Sequence, residues 1–216
     1  MNDDFDVGRI VPSMRDLVAG LAMRRRALSL VPLLDGDEPT LATDVARLDG
    51  VVRAFASSAS SAPGGDAETL RRIARAIGNT PLLALAPHAT ALDCQRSRYF
   101  GADGVALAPE GRDVADVSGA ARSMHMMPLA VADETTPPER LASAEGGAWL
   151  VRGTLPRMHA LAAALPKKAV VVACGSAFAM NAQALRDLAG VVDAVVVSSA
   201  THRAAWFCAL VDELDG

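Results

Sequence analysis

Five side chains suited to acid–base or anion chemistry follow apolar runs: Asp35, His88, Glu110, Asp133 and Arg152. His88 beside any of the three carboxylates would form a general acid–base pair, and Arg152 could clamp a carboxylate or phosphate through its planar fork of donors. Plainer roles suit the same residues: a surface histidine, a turn-capping Asp133, a salt-bridged Arg152. Two short turns, Gly175-Ser176 and Ser198-Ser199, carry the small residues with which backbone N–H groups cradle phosphate. Cys174 suits either a nucleophile or a small buried packing residue. No H-x-H or H-E-x-x-H spacing occurs, so no metal site is expected. No G-x-G-x-x-G follows the first apolar run, where Leu33-Leu34-Asp35-Gly36-Asp37-Glu38 stands instead, and no cofactor is expected.

These residues are placed by a repeated strand–helix alternation. Apolar runs of strand length recur at 28–34, 51–57, 81–86, 104–108, 127–132, 149–152, 169–174 and 195–198. Helical periodicity separates them, as in Leu70, Ile73, Ala74 and Ile77, or Met158, Leu161, Ala162 and Leu165. Eight such pairs predict a single (β/α)8 barrel over residues 13–216, with the candidate residues at the C-terminal ends of the strands, where barrels place their sites. Ser13 is expected to cap an extra N-terminal helix carrying Met14, Leu17, Val18 and Leu21, closed by Arg24-Arg25-Arg26; residues 1–12 read as a loose arm.

Composition narrows the function classes. The chain is 51% hydrophobic and only 4% aromatic, so its core must be built from Ala, Val and Leu. A net charge of −4 gives no general basic face for nucleic acid or an anionic membrane. Three cysteines without a paired framework, and no secretory leader pattern, suit a reducing cytoplasm. Oligomeric state is not legible.

One group of motifs goes further. Pro81 and Leu83 are followed by Arg98 and Gly101-Ala102-Asp103; Gly64-Gly65-Asp66 precedes Glu68 and Leu70; Met126 precedes Pro128-Leu129; Leu155 opens a helix. In this order and spacing the chain resembles indole-3-glycerol phosphate synthase, the decarboxylating ring-closure enzyme of tryptophan biosynthesis. The resemblance implies a ribulose-phosphate-binding barrel with a lysine acid, proton-handling glutamates and an asparagine at its mouth. Here the strand-three lysine aligns with Leu85, the strand-five glutamate with Val131 and the strand-six asparagine with Val151, with Arg152 next to it. The strand-one E-I-K becomes Leu33-Leu34-Asp35, and the strand-seven glutamate is absent in either register around Cys174-Gly175-Ser176. Loss of one general acid or base costs about 10²–10⁴-fold in rate. The expectation is therefore a relative that has lost ring closure and binds a partner protein or a phosphorylated small ligand. The alternative is an active carbon–carbon lyase of that type, or a barrel lyase or isomerase with an acid–base set rebuilt from the five candidates.

Overall fold

The computed structural model describes residues 5–22, 27–34, 38–62, 65–107, 114–142, 147–175 and 181–215. The expected triplet Arg24–Arg26 and candidates Asp35, Glu110 and Ser176 lie outside the described residues, as does Gly64. Eight strands alternate with helices: β1 (Ser29–Pro32), β2 (Phe55–Ser57), β3 (Leu82–His88), β4 (Gly104–Leu107), β5 (Met127–Ala132), β6 (Ala148–Arg152), β7 (Val170–Cys174) and β8 (Ala194–Val197). All pair in parallel with their sequence neighbours, and β8 pairs with β1 from Ser29↔Ala194 to Pro32↔Val197. Between β1 and β2 the ring closes through a bridge, Leu33↔Ala56, where the Leu34 N–H donates to the Ala56 carbonyl at 2.8 Å. The chain is a (β/α)8 barrel.

Alternation along each strand sorts side chains into two cores. Inside the barrel lie Val31, Ala56, Leu83, Leu85, Leu129, Val131, Leu150, Val172 and Val196. Outside, Leu30, Phe55, Leu82, Val105, Trp149 and Val171 meet the apolar faces of the helices. Those helices are α2 (Glu38–Leu48), α3 (Ala67–Ala76), α4 (Ala91–Tyr99), α5 (Val114–Ser123), α6 (Pro138–Ala142), α7 (Leu155–Ala164), α8 (Ala182–Leu188), α9 (Ser199–His202) and α10 (Phe207–Asp215), after the N-terminal α1 (Leu17–Leu21).

The N-terminal helix is shorter than the spacing predicts, and Ser13 is not its cap. Asp16 caps α1 by accepting from the Ala19 N–H at 2.9 Å. Leu17 and Leu21 are buried in the barrel interior, whereas Met14 is 90% exposed and Val18 48% exposed. Ser13 instead donates from Oγ to the buried Asp103 at 2.6 Å. Trading a helix cap for a bond to a buried carboxylate lets the segment cross the bottom of the barrel and plug it with two leucines. Gly104 makes room for that plug, since a Cβ there would lie 2.3 Å from Leu17 Cδ2. Nearby, residues 5–12 contact the barrel: Phe5 packs edge-on against Tyr99, and Arg98 Nε donates to the Val11 carbonyl at 2.8 Å.

Asp103 explains most of the Arg98–Asp103 motif. Its carboxylate is fully buried and accepts from Ser13 Oγ, the Leu82 N–H (2.8 Å) and Arg98 Nη1 (2.6 Å), with Arg15 Nε at 2.9 Å. Asp193, at the equivalent place before β8, accepts from the Val171 N–H at 2.8 Å. Each aspartate thus pins the start of the preceding strand, and its own carbonyl receives the next one, Met127 N–H or Ser29 N–H. Gly101 completes the corner with φ +104°, and a Cβ there would sit 2.4 Å from Ala74 Cβ. Gly101→Ala should therefore destabilise by about 1–3 kcal/mol through backbone strain and overpacking of α3. Urea unfolding measures it; an unchanged midpoint would show that the α3–α4 corner relaxes freely.

Candidate functional site

At the C-terminal mouth the innermost side chains continue the inward rows. Leu33, Leu85 and Val131 lie there, and Arg152 and Cys174 end the rows of β6 and β7. Arg152 follows Leu150 on the inward face and crosses the mouth: its Nη2 donates to the Leu85 carbonyl on β3 at 2.9 Å. Among the described residues no carboxylate lies within ion-pair distance of this guanidinium. Its charge still reaches Asp133 and Cys174, favouring the ionised form of both.

Each of these groups is held in one protonation state. Asp133 accepts from the Thr135 N–H (2.9 Å), Thr135 Oγ1 (2.7 Å) and Thr136 Oγ1 (3.3 Å). The Thr135 hydroxyl, then the other donors and Arg152, hold its carboxyl below the usual carboxylate range, so it stays ionised near neutrality. Burial pushes the Cys174 thiol up, against the pull of Arg152, which disfavours the nucleophilic thiolate. What remains is a fixed cation with unused donors above an apolar floor. That arrangement can hold an anion; its described members are poorly matched to moving a proton at neutral pH.

His88 does not join them. It is buried on the outer side of the sheet, with Nδ1 3.0 Å from the Ala106 carbonyl and Nε2 2.5 Å from Ser97 Oγ, which in turn meets Ser61 Oγ at 2.6 Å. A carbonyl only accepts, so Nδ1 carries the proton and Nε2 accepts from Ser97. This neutral ring links β3, β4, α4 and the β2–α3 loop, and its burial lowers its pKa. The two small-residue turns also differ from one another. Ser198 caps α9 by accepting from the Thr201 N–H at 3.4 Å, with Ser199 as the first helical residue. Gly175 follows β7 directly after Cys174, and Ser176 lies outside the described residues. Among the described residues no group of three His, Cys, Asp or Glu could hold a metal ion.

A second buried histidine escaped the sequence reading. His202 places Nε2 3.2 Å from the Leu33 carbonyl and Nδ1 3.3 Å from Arg47 Nη2, beside the Arg203–Asp44 ion pair at 2.6 Å. Its only sequence signal is a histidine five residues beyond β8.

With this geometry in hand, solved structures supply the comparison. The barrel superposes on a chain of the tryptophan synthase α2β2 complex of the hyperthermophile Pyrococcus furiosus, at TM-score 0.61 and 16% identity, over 88% of this chain and 99% of that one. It superposes equally on that organism's tryptophan synthase A-subunit (TM-score 0.62, 16% identity, 88% and 99%). A protein of Aquifex aeolicus matches at TM-score 0.62 and 15% identity, over 93% of this chain and 98% of that one. The likeness is one of fold. No protein-family model and no curated protein matches the sequence. Among the described residues no helix is long and apolar enough to cross a membrane.

Proposed function

We propose that this barrel binds a small phosphorylated molecule at its C-terminal mouth, with Arg152 as the anion anchor, and does not carry out the decarboxylating ring closure of the synthase its sequence resembles. The observation that carries this reading is the Arg152 guanidinium spanning the mouth from β6 to Leu85, over Leu33, Leu85 and Val131. A guanidinium offers five donors and here spends one on a backbone carbonyl, which leaves a forked edge for phosphate. The apolar floor would exclude water and strengthen that contact. Leu85 and Val131 stand where the synthase chemistry calls for a lysine and a glutamate, and neither can exchange a proton.

Titration of isotope-labelled protein with glycerol 3-phosphate, followed by amide NMR, tests the reading. Saturable shifts are expected at Leu85, Val131 and Val151, weakened about tenfold or more in Arg152→Gln, since a charge-assisted bidentate contact is worth about 1.5–3 kcal/mol. A fluorescence assay for indole-3-glycerol phosphate formation should stay at background. Turnover abolished by Asp35→Asn, Glu110→Gln or Arg152→Gln would overturn the proposal and establish a rebuilt acid–base set.

A further inference from the structure

A second basic site lies on the opposite, N-terminal side of the barrel, independent of the mouth. An open groove of about 410 Å3 lies where α3 and α4 end, lined by Arg15, Arg71, Arg75, Tyr99, Phe100 and Gly101. Among its lining residues there are three guanidinium groups and no carboxylate.

Each arginine is positioned differently. Arg15 is anchored from behind: its Nη1 donates to the Gly78 and Thr80 carbonyls at 3.1 and 3.0 Å, its Nη2 to Gly101 at 2.6 Å, and its Nε faces Asp103. Arg71 lies over the Phe100 ring at 4.8 Å and the Tyr99 ring at 5.6 Å, with Glu68 3.3 Å from Nη1. Arg75, one turn further along the same face of α3, is exposed and has no ion-pair partner among the described residues.

The charge balance favours an anion. Arg15 and Arg98 share the carboxylate of Asp103, Glu68 pairs with Arg71, and Arg75 adds a further charge. Three of the lining side chains are cationic and none is anionic, in a chain of net charge −4. The volume falls within the range of about 300–1,000 Å3 typical of small-molecule sites and exceeds what one bare ion needs. Guanidinium forks suit phosphate oxygens, and the Tyr99–Phe100 floor suits a carbon skeleton.

We infer that this cleft is a second ligand site, which binds the phosphate group of a small phosphorylated molecule between Arg71 and Arg75, with Arg15 as its fixed back wall. The Arg152→Gln protein, in which the mouth site is disabled, isolates the cleft for testing. Titrated with inorganic phosphate and, separately, with glycerol 3-phosphate, it should show saturable amide shifts at Tyr99, Phe100 and Gly101. Arg75→Gln, a change at an exposed residue that the fold does not need, should weaken binding about five- to tenfold, and raising salt to 0.5 M should weaken it further as the Debye length shrinks to about 4 Å. Tighter binding of the ester would assign a phosphorylated metabolite, and equal affinity would assign free phosphate; both keep the site. Shifts absent from residues 99–101, or unchanged by Arg75→Gln, would overturn the inference while leaving the mouth reading intact.

Discussion

Replacing Asp103 by alanine should lower stability by about 3–5 kcal/mol, the range seen when one partner of a buried ion pair is removed. The carboxylate is fully buried and holds two guanidinium groups, a hydroxyl and a strand N–H at 2.6–2.9 Å. Without it Arg15 and Arg98 face each other uncompensated, and the Leu82 N–H at the start of β3 loses its acceptor. Ser13 loses its tie as well, so the plug of Leu17 and Leu21 is released from the barrel bottom. The expected readout is a fall in melting temperature of about 6–20 °C for a chain of this size, with trypsin cleavage after Arg15 appearing early. Arg98→Ala, which leaves Arg15 on the carboxylate, should cost less. An Asp103→Ala protein within about 1 kcal/mol of the parent would show that the anchor is dispensable.

Acidification should destabilise the fold well before the carboxylates titrate. His88 and His202 both have pKa values lowered in the folded state, in each case chiefly by burial. The geometry gives the same direction. The Nε2 of His88 is occupied by the Ser97 hydroxyl, and the Nδ1 of His202 faces Arg47, which can only donate. The unfolded chain, with ordinary histidines near pKa 6.5, therefore takes up protons first as pH falls. The stability these residues contribute is fully present above pH about 6.5 and is lost as pH drops from there through the lowered folded values. Two such groups give a slope of up to about 2.7 kcal/mol per pH unit, and His88→Asn should remove about half of it. Chemical denaturation at a series of pH values between 7.5 and 5 measures this directly. A flat profile over that window would show that both rings are protonated without penalty.

The sequence by itself determined the barrel. Parallel strands covered on both faces must be continuously apolar, and each crossover needs a helix, so eight apolar runs with intervening helical periodicity leave little other architecture. It also determined that Leu85 and Val131 bring no acid or base to the mouth, because a side chain's chemistry does not depend on where it sits. The placement of polar side chains was decided only in three dimensions. His88 and Asp133 both come at strand ends, yet His88 continues the outward row of Leu82 and Ala84 and meets Ala106 and Ser97, while Asp133 follows the inward row of Val131. In strands apolar on both faces, which of the two rows points into the barrel is set by the packing of the whole sheet. Ser13 looked like a helix cap because that is its commonest local role, but a buried carboxylate 90 residues away is the better partner. The arginine cleft has the same origin. Arg71 and Arg75 are visible as an i, i+4 pair, but Arg15 reaches them only because Asp103 draws the N-terminal segment across the barrel floor.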